Sequence, residues 1–183
     1  MNIIKTDTEP NFNELEMSIL FECVTSKLDK RLHSNLNSVI ERRLNPIQTT
    51  LYRGITPQEI ELLDDAVHSS EPFSFGRVTS FSEDYEISRD FAHFEYQTRT
   101  LVRLQATEAF CYHEAMRKLM MEVPLEFFNT ASGCPSAAEL RREERLEMID
   151  TELEWMLPMN QLLSVVNTCY IDDYFVIDCV QCC

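Results

Sequence analysis

The sequence predicts an α+β chain with its strands concentrated after residue 46. Two observations carry this. An apolar stripe at helical spacing runs through the N-terminal region, at Leu28, Leu32, Leu36, Val39 and Ile40. The segments beyond Pro46 instead alternate apolar with polar residues or gather β-branched and aromatic ones.

With 44% hydrophobic and 26% charged residues, the composition is that of an ordinary globular chain. No run of 18 apolar residues occurs, so no membrane span is expected. The 183 residues read as one domain, with a helical N-terminal region at 1–45 and a core at 46–183. The start, MNIIKTDTEPNF, lacks the basic and apolar stretches of a secretory signal, and a cytosolic protein is expected.

Taken in order, the helical region ends at Pro46, and QTTLYRGI follows as a short strand. Thr56-Pro57-Gln58-Glu59 is a capping box with proline at the first helical position, starting a helix to about His68. SSEPFSFG is a loop. RVTSFS is a strand, after which Asp84 or Ser82 caps a short helix carrying Ile87 and Phe91. TLVRLQA, Thr100 to Ala106, alternates as a half-buried strand, and residues 110–121 read as helix. Pro124, Gly133 and Pro135 mark an irregular connection. SAAELRREERLEMID favours helix, with Ser136 and Glu139 as a capping box, and a strand is then expected to carry Glu152 and Glu154. QLLSVV and YFVIDCV close the chain as strands.

Glycine is scarce: only Gly54, Gly76 and Gly133 occur, so each is expected where a side chain cannot sit. Four of the seven cysteines are scattered (Cys23, Cys111, Cys134, Cys169), and Cys179, Cys182 and Cys183 crowd the end. The lone Cys-x-x-Cys has no histidine at metal spacing, so reduced thiols are expected and no metal site. The net charge of −15 disfavours general nucleic-acid binding. It serves either solubility or attraction of a basic partner.

Three patches can carry chemistry. Tyr52-Arg53-Gly54 places an arginine at a strand end beside a residue without Cβ, either a fork for a phosphate or a surface arginine in a turn. Ser80-Phe81-Ser82 sends two hydroxyls to one face and a phenyl ring to the other, or is a core phenylalanine flanked by a turn and a cap. Glu152-Leu153-Glu154, in a strand, puts two carboxylates on one face about 6.6 Å apart. Such a pair is either solvated or has a task, because like charges raise one another's pKa.

In this order, arginine, serine motif and Glu-x-Glu resemble the R-S-E class of mono-ADP-ribosyltransferases. The Phe-Ala in SEDYEISRDFA and the three apolar residues and proline after Glu-x-Glu match as well. LYRGI, the RV-x-SF strand, FEYQTRTLVRL, Ala109-Phe110-Tyr112 and EWMLP are similar to the small Mod-type transferases of T-even-like bacteriophages, the ModB type in particular. The likeness covers nearly the whole chain. Phe81 stands where many relatives have threonine, and residues 122–140 match nothing.

The resemblance implies the ADP-ribosyltransferase fold, with N-terminal helices followed by a core of two packed β-sheets around an NAD cleft. It implies NAD⁺ as donor, without a metal, and ADP-ribose transfer with nicotinamide release. Arg53 would hold the diphosphate, Gly54 would let the nicotinamide amide reach the main chain, and Ser80 would fix Glu154. Ser82 reads as a cap, and Phe73 or Phe75 either stacks on nicotinamide or fills the core. Arg77 and Arg89 are candidates to offset the acidic field around the donor. Glu154 would bind the ribose, and Glu152 would pair with an acceptor guanidinium. A glutamate there goes with arginine modification in the family. The implied partners are host proteins with exposed arginines, of the translation machinery or RNA-binding, in the cytoplasm of the infected bacterium. NAD-capped RNA is an alternative donor. The competing readings are an NAD⁺ glycohydrolase and a non-catalytic binding module on the same fold.

Overall fold

The protein is described by a computed structural model covering residues 12–25, 30–128 and 135–182. Leu28, Gly133, Cys134, Cys183 and the N-terminal segment through residue 11 lie outside the described residues.

Helix α1 (Glu14–Thr25) starts at a reciprocal cap in which Asn13 Oδ1 accepts the Glu16 amide at 2.9 Å and Glu16 accepts the Asn13 amide at 3.1 Å. Helix α2 (Lys30–Glu41) buries Leu32, Leu36, Val39 and Ile40, the stripe seen in the sequence. Strand β1 (Asn45–Gly54) begins before the expected QTTLYRGI and includes Pro46. A register irregularity between Pro46 and Thr49 absorbs the residue that cannot donate to the ladder. Helix α3 (Pro57–Ser69) carries the capping box of Thr56 and Glu59.

Strand β2 (Thr79–Ser82) leads into α4 (Tyr85–Asp90), whose cap is Asp84: its Oδ1 accepts the Glu86 amide at 2.8 Å. A π-helical turn, Phe91–Glu95, follows directly. Strand β3 (Thr100–Cys111) outruns the predicted strand, and α5 (Tyr112–Glu122) starts two residues later than expected. Tertiary pairing decides this, because Phe110 and Cys111 lie against Met156 and Trp155.

After a 3₁₀ turn at Leu125–Phe128 comes α6 (Pro135–Glu152), then β4 (Glu154–Leu157), β5 (Leu163–Ile171) and β6 (Tyr174–Gln181). The β5–β6 hairpin turns on Asp172 and Asp173, at φ 47° and 66°, the twist that two-residue hairpins favour.

Among the described residues the strands form a six-stranded sheet in the order β1-β2-β4-β3-β6-β5. Strand β1 also pairs with β3, so β1, β2, β4 and β3 close on themselves and β6 and β5 extend from β3. The two packed layers expected from the sequence are therefore joined by continuous hydrogen bonding. All six strands feed one buried cluster, through Leu51, Phe81, Leu104, Leu157, Leu163 and Ile177. A second cluster joins α1, α2 and α5 to the sheet through Phe110 and Met156. Helix α6 ends at Glu152 and β4 opens at Glu154, beside Met156 of the second cluster and Leu157 of the first.

Candidate active site

Arg53 sits near the end of β1 and is only 7% exposed. Its Nη1 donates to the Ser80 carbonyl at 2.9 Å, and its Nη2 donates to Glu59 Oε1 at 3.1 Å. The guanidinium lies 5.7 Å from the centre of the Phe75 ring. Its Nε is buried without a partner among the described residues.

Glu59 is the anchor behind this arginine. Its carboxylate accepts the Thr56 amide and hydroxyl, each at 3.0 Å, and Arg77 at 2.6 Å. Burial works to raise its pKa, but Arg53, the Thr56 amide and Arg77 outweigh that and hold it below the ordinary value. Arg77, a candidate in the sequence to offset the acidic field around the donor, pairs with Glu59. Arg89 pairs with Glu86 and, at 3.4 Å, with Asp90.

Gly54 lines the cleft, but its bare side faces the protein. A Cβ there would come within 2.7 Å of the Ser88 carbonyl oxygen and the Ala92 amide nitrogen. The missing side chain makes room for the helix backbone. Of the two roles open to Phe73 and Phe75, the core role is the one seen. Phe73 is buried in the sheet core, Phe75 packs beside it at 5.5 Å, and neither lines the cleft.

Ser80 and Ser82 flank Phe81, whose ring turns into the core with 2% exposure. The antiparallel β2–β4 ladder sets Ser80 against Met156 and Ser82 against Glu154. The Ser80 side chain hydrogen-bonds the Glu154 carboxylate. Ser82 is not the helix cap. Its hydroxyl donates to the Glu152 carbonyl at 2.6 Å and accepts the Asp84 amide at 3.0 Å.

The two glutamates differ most from expectation. Glu152 ends α6, Glu154 opens β4, and Leu153 between them is left-handed at φ 45°. They are not neighbours on one strand face. Glutamate, arginine and leucine are strong helix formers, so α6 runs on until the chain must turn. The left-handed residue closes it, with the Leu153 amide donating to the Ile149 carbonyl at 3.3 Å.

Burial pushes Glu154 from an ordinary 4.5 up to about 7, aided by the nearby Glu152 charge and opposed by Ser80 and Arg53. Burial raises Glu152 as well. His113 Nδ1 lies 3.1 Å from the Glu154 carbonyl oxygen, and the Trp155 indole donates to Glu83 at 2.7 Å. Both fix the start of β4.

Arg53, Gly54, Ser80, Phe81, Ser82, Glu152 and Glu154 line one cavity of about 200 Å³. Tyr52, Ser88, Phe91 and Tyr96 complete it. Sequence reasoning missed these four and treated Glu59 only as a cap. The aromatics after α4 were the available signal.

Among the described residues, Cys111, His113 and Glu114 bring ligand atoms within 4.8 Å of one another. Burial pushes the Cys111 thiol up to about 12, so without a bound ion it is protonated at neutral pH. The five described cysteines carry free thiols.

Residues 2–181 match the family model of the bacteriophage T4 Mod ADP-ribosyltransferase. The chain is 32% identical over 150 residues to the NAD–protein ADP-ribosyltransferase modB of Enterobacteria phage T4, covering 82% of this chain and 72% of that protein. It is 27% identical over 157 residues to modA of the same phage, covering 85% and 73%. The solved ADP-ribosyltransferase Vis of Vibrio splendidus, in complex with an inhibitor, superposes with a TM-score of 0.51 at 10% identity, over 93% of this chain and 73% of that one. That likeness bears on the fold. The chain belongs to the T4 Mod ADP-ribosyltransferase family, whose members take NAD⁺ as donor and transfer ADP-ribose to protein.

Proposed function

We propose that this enzyme transfers ADP-ribose from NAD⁺ to arginine side chains of host proteins in the cytoplasm of an infected bacterium. The observation that carries this reading is the pair of unlike carboxylates in one cleft. Glu154 is held by Ser80 beside Arg53, and Glu152 stands one turn of chain away on the end of a helix.

Breaking the bond between nicotinamide and C1′ sends the electron pair to nicotinamide and leaves positive charge on the ribose, as in glycoside hydrolysis. Glu154 is the group that accepts a hydrogen bond from the ribose 2′-hydroxyl. That bond strengthens as the cation develops, so it stabilises the transition state more than the ground state. Ser80 positions it. Arg53, which lines the same cavity, holds the diphosphate by its charge.

Glu152 pairs with the acceptor guanidinium, orients one nitrogen toward C1′ and takes the proton released as the C–N bond forms. A carboxylate at this position suits arginine. The acceptors fit exposed arginines of translation or RNA-binding proteins, and NAD-capped RNA is an alternative donor. Among the described residues no helix is long and apolar enough to cross a membrane.

Mass spectrometry of bacterial lysate incubated with enzyme and NAD⁺ tests the reading. ADP-ribose on arginine is expected. Modification of another residue type would overturn the arginine assignment, and nicotinamide release without labelled protein would favour a glycohydrolase.

A further inference from the structure

Beside the donor cleft lies a second cavity, of about 490 Å³, between α6 and the segment formed by α4 and the π-turn. Its apolar surface comes from Phe91, Phe94 and Met148, which are 37%, 69% and 41% exposed. Its charge comes from Asp90, Glu95, Glu144, Glu147 and Glu152, and no lysine, arginine or histidine lines it. Arg89 offsets Asp90 from outside at 3.4 Å. Among the described residues no ion pair reaches Glu95, Glu144 or Glu147. A face evolved only for solubility has no use for exposed phenylalanines set among carboxylates.

Two residues, Glu152 and Phe91, line both cavities. A side chain entering along the groove therefore meets Glu152 where the donor cleft begins. The π-turn makes this junction. It follows α4 without a break, places Phe91 at the shared wall and Phe94 in the groove, and is closed by the Tyr96 amide donating to the Phe91 carbonyl at 3.0 Å. Turns of this kind are rare and concentrate at functional sites.

Resting on the arginine-transfer reading above, we propose that this groove receives the polypeptide around the acceptor arginine and selects segments combining basic residues with a large apolar side chain. Carboxylates complement the basic flanks, while Phe94 and Met148 take the apolar side chain. The same charges repel phosphate, so a nucleic acid does not occupy this groove.

The test uses two synthetic peptides, each with a single arginine and a leucine, flanked by lysines in one and by glutamates in the other, with agmatine as a small acceptor. The wild-type enzyme should modify the lysine peptide with kcat/KM roughly ten-fold or more above the glutamate peptide, and less so at high salt. The double variant Glu144→Lys/Glu147→Lys should lose that preference, and Phe94→Ala should raise KM for the lysine peptide. Both should keep wild-type transfer to agmatine, which also shows that they fold and bind NAD⁺. Equal use of the two peptides by the wild type, or an unchanged preference in the double variant, would overturn the proposal. Competition by an RNA oligonucleotide against the lysine peptide would overturn it too. A wild-type enzyme that labels lysate protein but neither agmatine nor any arginine would instead remove the arginine reading on which the groove depends.

Discussion

The Ser82 hydroxyl donates a 2.6 Å hydrogen bond to the main-chain carbonyl of Glu152, tying the second strand to the last residue of the long helix. This bond spans the point where the chain turns through Leu153, whose left-handed backbone costs a non-glycine residue about 1–2 kcal/mol. The Glu83 amide, donating to the Leu153 carbonyl at 3.4 Å, adds to the hold. Ser82→Ala should therefore destabilise the fold by about 1–3 kcal/mol in denaturant unfolding and lower kcat, because Glu152 is no longer held in place. Unchanged activity would show that the turn keeps its shape without Ser82.

Glu59 should matter to donor binding although it does not line the cleft. It is the only carboxylate on Arg53 among the described residues, at 3.1 Å, and it shares its charge with Arg77. Glu59→Gln should raise KM for NAD⁺ more than it lowers kcat. Glu59→Ala should cost about 3–5 kcal/mol by leaving a buried guanidinium uncompensated. The folded pKa lies below the ordinary 4.5, so this stabilisation is present above about pH 4.5 and is lost as pH falls through the folded value. Acid unfolding of wild type and Glu59→Gln should converge there.

Glu154 titrates the other way. Its pKa rises from 4.5 to about 7, so the ionised form is the costly one in the folded protein. Stability is lost as pH rises through that window, and above it the ionised carboxylate costs up to about 3 kcal/mol. Glu154→Gln should be more stable than wild type at about pH 8 and lose that advantage toward pH 4.5, while being inactive. For the wild type, kcat/KM should rise with pH through about 7 as the carboxylate ionises. Ser80→Ala removes a hydrogen bond that lowers this pKa, and should move the acidic limb to higher pH.

Gly54→Ala should fail for a reason of packing. The added methyl would meet backbone atoms of Ser88 and Ala92 at 2.7 Å, and backbone cannot rotate away as a side chain can. A loss of about 1–3 kcal/mol in thermal unfolding, with reduced activity as α4 and Phe91 shift, is expected.

How much of this was legible in the sequence depended on whether the signal was local. The capping box at Thr56 and Glu59 announced α3, because side chain and backbone satisfy each other within one turn. The stripe from Leu32 to Ile40 announced α2. The seven residues singled out for the site share one cavity, although their spacing along the chain gives no contact between them. The helix–strand boundary inside Glu-x-Glu was not legible. A left-handed residue usually signals itself as glycine or asparagine, and here it is leucine, held by bonds from Ser82 and Glu83 that only the fold brings near. The extra length of β3 was hidden for the same reason, since Phe110 and Cys111 are strand only because β4 lies beside them.

The division of labour between the two carboxylates is best tested by measuring nicotinamide release and protein labelling side by side in Glu152→Gln and Glu154→Gln. Glu154→Gln should lose both. Glu152→Gln should lose labelling while still releasing nicotinamide, with water replacing the guanidinium at C1′. Equal loss of the two signals in Glu152→Gln, in a protein whose circular dichroism matches wild type, would contradict separate roles for donor and acceptor.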